Sequence, residues 1–146
     1  KNDHTEMVLE KCTELGVTTF QPLLTDRTIK TGFRRDRLEK IIKEATEQSG
    51  FVGLPKLAEP VKLDSYIQKI GVENVFVMDM EGEKLTPPSS WEEAKDQVAT
   101  ILIGPEGGWS DPERALFKSL HLTTFSLAPQ TLRAETACIA TIVNLL

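Results

Sequence analysis

Cysteine is almost missing from this chain. Cys12 and Cys138 are the only two in 146 residues, too few and too far apart for a disulfide framework or the spacing of a zinc site. Each falls in a helix-like stretch, where a lone thiol is expected to act as a small buried hydrophobe, and a reducing cytosol is the expected compartment. Long hydrophobic runs are missing too. Runs such as Val75-Phe76-Val77-Met78 end well below the ~20 apolar residues that a membrane-spanning helix needs. The amino end, Lys1 to Glu10, is polar and lacks the apolar centre of a secretory signal. Positive charge is in deficit: 17 Lys and Arg against 22 Asp and Glu give a net charge of -5. Taken as an average, that balance discourages a nucleic-acid partner, since such binding relies on cations that neutralise phosphates. What is present, 40% hydrophobic and 27% charged residues with nine Gly and eight Pro, fits one ordinary globular domain able to bury about 70% of its unfolded surface.

The charge deficit is not uniform. Arg27, Lys30, Arg34, Arg35, Arg37, Lys40 and Lys43 fall in one stretch, opposed there only by Asp36 and Glu39. Two readings stand side by side for this basic patch: a solvated helix face, or a phosphate-facing surface.

Periodicity predicts a helix over Thr5–Leu15, where Met7, Val8, Cys12 and Leu15 share a face and Gly16 supplies a stop. A strand is expected over Val17–Leu24, with Pro22 marking an edge or an end. Leu38, Ile41, Ile42 and Ala45 mark a longer amphipathic helix over Phe33–Ser49, closed by Gly50. An extended piece around Leu54–Leu57, a short helix over Val61–Ile70 and a buried strand over Val75–Met80 follow. Glu81–Ser90, with Gly82, Pro87 and Pro88, reads as a loop. Val98–Ile103 is a second buried strand. Ser110, Pro112 and Glu113 have the spacing of a capping box at a helix start. Phe125–Leu127 is a further strand and Arg133–Leu146 a last helix. Strands alternating with helices predict an α/β fold with a largely parallel sheet and helices on both faces.

Such sheets bind ligands at the carboxyl ends of their strands, and two loops leave the sheet there. Gly104-Pro105-Glu106-Gly107-Gly108-Trp109 follows one strand; its three glycines let backbone come close to a ligand, but it is neither a dinucleotide fingerprint nor a phosphate-binding loop. A plain tight turn is the competing reading. The second, Ala128 to Leu132, leads into Arg133 and Glu135. A carboxylate in a first helical turn suits the helix dipole. A cation there does not, so Arg133 is a candidate to pair with Glu135 or to hold a substrate anion.

Four segments, taken in order, resemble one family. Glu10-Lys11-Cys12-Thr13-Glu14-Leu15-Gly16-Val17, Glu44-Ala45-Thr46-Glu47-Gln48-Ser49-Gly50, Leu102-Ile103-Gly104-Pro105-Glu106-Gly107-Gly108-Trp109-Ser110 and Leu132-Arg133-Ala134-Glu135-Thr136-Ala137 look like the successive signatures of the RsmE family, bacterial methyltransferases of N3 of a uridine in 16S ribosomal RNA and members of the SPOUT class. The resemblance runs the length of the chain. It implies a carboxyl-terminal trefoil knot, S-adenosylmethionine as methyl donor, the small ribosomal subunit as partner, and a homodimer with sites at the interface. It also implies that the small β-barrel RNA-binding domain usual before this point is absent here, making residues 1–146 a catalytic domain. Two basic residues common in the family are replaced by Phe51 and Gln130, which bears on substrate contact.

On this reading Ile103, Gly104, Pro105, Glu106, Gly107, Gly108, Leu127 and Leu132 form the donor cleft. Arg133 orients the base or stabilises its anion, and Glu135 fixes Arg133 or accepts the N3 proton. Arg27, Arg34, Arg35, Arg37 and Gln48 face the RNA, with Gln48 equally able to orient Arg133 or make a structural hydrogen bond. Glu106 has a second reading as a helix cap, and Trp109 is expected in the core. His4 and His121 stand alone and read as surface residues. No metal is expected, since positioning the nucleophile in line with the methyl group suffices. The competing functional class is a non-catalytic RNA-binding module that keeps this fold.

Overall fold

A computed structural model describes residues 2–28, 32–84 and 98–145. Lys30, the later part of the expected 81–90 loop, and Leu146 lie outside the described residues. In chain order the elements are α1 (Asn2–Glu14), β1 (Thr19–Phe20), β2 (Leu23–Leu24), α2 (Arg35–Ser49), β3 (Lys56–Leu57), β4 (Val61–Lys62), α3 (Leu63–Ile70), β5 (Val75–Lys84), β6 (Thr100–Ile103), α4 (Asp111–Ser119), β7 (Thr123–Ser126) and α5 (Ala134–Leu145).

Helix ends fall where local chemistry places them. After α1 the amide of Gly16 bonds Thr13 O at 3.0 Å and that of Val17 bonds Cys12 O at 2.9 Å, the paired closure that needs a left-handed residue; Gly16 supplies it at φ +87°. Helix α4 opens on the expected capping box: Glu113 N donates to Ser110 Oγ at 3.3 Å, and Ser110 N donates to Glu113 Oε2 at 2.8 Å.

All strand pairings among the described residues are parallel, as expected, but they fall into three pieces rather than one sheet: β1 with β3, β2 with β4, and β6-β5-β7. The single strand expected over Val17–Leu24 is two, interrupted at Gln21-Pro22 because Pro22 has no amide to donate to a ladder. Pro22 O still accepts from Val61 N at 3.2 Å.

Strand β5 corrects a second expectation. Glu81–Lys84, read as the start of a loop, continue the strand. Met78 pairs with Phe125, and after an irregularity Glu83 pairs with Phe125 again. Gly82, inside that irregularity, lies so near β7 that a Cβ on it would stand 2.6 Å from the carbonyl carbon of Phe125.

Val75 and Val77 of β5, with Leu102 of β6, form one core with Leu63 and Ile67 of α3, Trp109, and Phe117 of α4. A smaller one joins Leu9 of α1, Leu38 and Ile42 of α2 and Leu57 of β3. The helix stripe Leu38, Ile42 and Ala45 is buried as its spacing requires. Helix α1 packs on both α2 and α5. None of the described helices is long and apolar enough to cross a membrane.

Candidate active site

The carboxyl end of β5 holds both candidate loops. Trp109, 1% exposed, donates its indole Nε1–H to Met78 O at 2.9 Å and meets Phe117 edge-on with ring centroids 5.0 Å apart. It is a core residue, as expected, and it anchors the exit of the glycine loop. Two residues further along β5, Met80 Sδ accepts from Thr131 Oγ1 at 2.8 Å, which ties down the second loop. Ile103 and Phe125 flank Met78 in register on either side. The glycine loop and the approach to Arg133 therefore leave the same end of one parallel sheet.

Within the first loop, Gly108 N bonds Pro105 O at 2.8 Å, so Pro105 to Gly108 close a turn with Gly108 at φ +68°. A Cβ on Gly104 would stand 3.2 Å from the Trp109 indole, so backbone lies flat on the ring there. Glu106 is exposed; the cap of α4 is Glu113 instead. Ile103, Gly104, Pro105, Gly108, Leu127 and Leu132 are half-buried, and Gly107 is exposed. Partly open glycine backbone beside half-buried aliphatic residues suits a ligand that is recognised by main-chain groups and carries an apolar face. It offers no set of carboxylates or imidazoles for a metal, and no such cluster occurs among the described residues.

At the second loop, Arg133 is exposed and Glu135 is 7% exposed. The side-chain partner of Glu135 is not Arg133. It is His4, whose Nδ1–H donates to Oε1 at 2.7 Å, so His4 is more than the surface residue its isolation suggests. Its own backbone N–H, then His4, hold the Glu135 carboxyl below the usual carboxylate range, with the charge of Arg133 adding to the effect. Arg133 makes no side-chain hydrogen bond or ion pair among the described residues.

Several cations of the basic patch are paired, Lys40 with Glu44 and Lys43 with Glu47 inside α2 and two more with carboxylates from other segments. Arg37 grips Glu6 of α1 with Nε at 2.6 Å and Nη2 at 2.7 Å. Arg35 pairs with Glu39 and Glu59, donates to Leu57 O at 2.9 Å, and lies over the Phe33 ring. Arg27 donates to Gly107 O at 2.6 Å. Arg34 and Gln48 are exposed and have no side-chain partner among the described residues. Of the five residues assigned to RNA, these two keep their polar groups available. Phe51 packs against Gly16, and Gln130 is exposed.

A further pair carries no sequence signal. Asp79, on β5, accepts from Arg114 of α4 at 2.6 and 3.1 Å. Burial pushes the Asp79 carboxyl up, but Arg114 and the amides of Glu81 and Met80 outweigh it and hold it below the ordinary range. The pair fixes α4 to the strand that carries both loops.

The chain is thus a parallel α/β domain that carries a glycine loop and an Arg-x-Glu helix start at one end of its sheet. The RNA methyltransferase domain family matches residues 1–146, and the chain belongs to it. Among its relatives, the Ribosomal RNA small subunit methyltransferase E of Synechocystis sp. is 35% identical over 139 residues, covering 90% of this chain and 45% of that protein. The protein of the same name from Rickettsia conorii is 30% identical over 145 residues, covering 99% and 59%. A methyltransferase from Legionella pneumophila, solved with bound SAM, superposes with a TM-score of 0.84 at 31% identity, covering 99% of this chain and 61% of that one. A Ribosomal RNA small subunit methyltransferase E from Neisseria gonorrhoeae bound to S-adenosyl methionine gives 0.81 at 28%, covering 98% and 60%. The chain thus spans about half the length of the curated relatives it matches. The RsmE resemblance carried by the four motifs is borne out by these names.

Proposed function

We propose that the protein is an S-adenosylmethionine-dependent methyltransferase of N3 of a uridine in the 16S ribosomal RNA of the small subunit. We propose too that its carboxyl-terminal part is threaded as a SPOUT trefoil knot, and that it works in the cytoplasm as a homodimer with sites at the interface. The observation that carries the reading is the tie of both loops to β5, Trp109 to Met78 and Thr131 to Met80. It supports the reading by bringing the glycine loop and the approach to Arg133 to one strand end, and proteins of similar fold have been solved with the methyl donor bound.

Ile103, Gly104 to Gly108, Leu127 and Leu132 would hold the donor, which would supply an activated methyl group on a sulfonium. The work of the chain is to place and ionise the nucleophile. Uridine N3 is protonated at neutral pH, so it becomes a nucleophile only when that proton passes to solvent water before or during transfer. Arg133 stabilises the anionic uracil, helped by the positive end of the α5 dipole. Glu135, held ionised by its own amide and His4, anchors this helix start rather than accepting the proton. Arg34 and Gln48 meet the RNA from α2 and its approach. The test is to incubate the protein with S-adenosylmethionine and unmodified small ribosomal subunits and identify the product nucleoside by mass. N3-methyluridine is expected; methylation on ribose or on another base would overturn the assignment.

A further inference from the structure

We infer that Arg27 is a positioning residue of the donor loop, not a phosphate contact; the inference rests on the methyltransferase reading and deepens it. Arg27 sits in the turn Thr25–Thr28, which is braced from inside. Thr28 N bonds Thr25 O at 3.1 Å, Thr25 N bonds Thr28 Oγ1 at 2.9 Å, and the two hydroxyls lie 2.7 Å apart. A braced turn presents Asp26 and Arg27 in fixed directions, and both reach the glycine loop.

Two clamps result. At the loop's exit, Ser110 Oγ donates to Asp26 Oδ2 at 2.5 Å, and Asp26 N donates to Glu113 Oε1 at 3.0 Å. At its middle, Arg27 Nη1 donates to Gly107 O at 2.6 Å. The Arg27 stem lies against the same glycine: a Cβ on Gly107 would stand 3.3 Å from Cδ and 3.4 Å from Cβ of Arg27. Gly107 is thus held on its carbonyl by charge and on its α-carbon by packing, both from one side chain.

This matters because three of the loop's six residues are glycines. Gly104, Gly107 and Gly108 give it more backbone freedom than any other six-residue stretch could have with side chains. Ordering that backbone as the donor arrives would weaken binding, whereas a loop already held does not incur the loss. Arg27 does the holding in advance. A guanidinium committed to a carbonyl at 2.6 Å also has less to offer a phosphate than that of Arg34, which has no side-chain partner among the described residues.

The experiment is calorimetric titration of S-adenosylmethionine into the wild-type protein, Arg27→Ala, Arg27→Lys, Gly107→Ala and the Arg27→Ala/Gly107→Ala double variant. In parallel, affinity for unmodified small ribosomal subunits is measured for wild type, Arg27→Ala and Arg34→Ala. Arg27→Ala should bind the donor about tenfold more weakly with subunit affinity unchanged. Arg27→Lys, which keeps one donor for the carbonyl, should recover part of the loss, and it keeps the inference testable should the alanine variant not fold. Gly107→Ala should weaken donor binding by displacing the Arg27 stem. In the double variant that stem is gone, so it should bind no more weakly than Arg27→Ala alone. Arg34→Ala should do the reverse of Arg27→Ala, losing subunit affinity and keeping the donor. Wild-type donor affinity in Arg27→Ala together with weakened subunit binding would make Arg27 a phosphate contact and overturn the inference, as would strictly additive effects in the double variant. Absence of donor binding by the wild type would overturn the methyltransferase reading itself, and this inference with it.

Discussion

The imidazole of His4 and the carboxylate of Glu135 share a hydrogen bond of 2.7 Å across a sequence separation of 131 residues. The first helix thereby adds to what the backbone N–H of Glu135 does in holding that carboxyl below the ordinary range. It follows that the amino-terminal turn of α1 belongs to the site.

The pair has a pH signature. Glu135 and Asp79 both have native carboxyl groups held below the ordinary range. A depressed carboxyl binds fewer protons folded than unfolded, so its contribution to stability is complete above the ordinary value of about 4 and is lost as pH falls through the lower native value. Thermal melting should therefore drop in Tm as pH is taken from 6 to 3. The Tm difference between wild type and His4→Ala should be larger at pH 6 than at pH 3. An equal difference at both would mean that His4 is not what holds the carboxyl down.

Arg133→Ala should lower kcat for methyl transfer by about a hundredfold or more, the usual scale for removing a group that stabilises developing negative charge, and leave donor affinity as it was. Single-turnover kinetics with calorimetry separate the two. Near-normal methylation by this variant would remove Arg133 from the chemistry.

Gly82→Ala should destabilise the fold by about 2 kcal/mol or more, because the added methyl meets β7 backbone, which cannot rotate aside as a side chain does. Gly32→Ala is the control, since a Cβ there has nothing within 4 Å. Urea unfolding midpoints should fall for the first and stay put for the second.

Burial pushes the thiol of Cys12 up to about 11 and that of Cys138 up to about 12. At pH 8 almost none of either is thiolate, the reactive form. An aromatic disulfide reagent should release its thiolate only as fast as the protein unfolds, and at once in denaturant. Rapid reaction in the native state would show that the α1–α5 seam opens.

Much of this fold is written locally, and those parts were legible. Gly16, Gly50 and the Ser110–Glu113 box set helix ends through bonds to residues a turn away, and the Leu38-Ile42-Ala45 stripe is visible as period. The polar end of β5 was not, because Glu83 and Lys84 pair with β7 in a segment, Glu81–Lys84, that shows no apolar alternation. The glycine loop and the Arg133–Glu135 helix start were legible as strand-end segments. Their ties to Met78 and Met80 were not, since neither methionine carries a signal for accepting a hydrogen bond. The basic patch misled in a definite way: cations cluster in sequence, but part of what pairs them, Glu6 with Arg37 and Glu59 with Arg35, arrives from other segments. His4 and Asp26 were silent for the same reason, since their partners lie on distant segments.

The order β6-β5-β7 has a consequence during synthesis. Both neighbours of β5 come after it in the chain, so a nascent protein carries Val75-Phe76-Val77-Met78 with two unsatisfied edges until β6 has left the ribosome and with one until β7 has. That strand is the stretch most exposed to wrong pairing with another chain during the interval. Conditions that slow elongation between Lys84 and Thr123 should therefore cost soluble yield more than the same delay placed after Ser126.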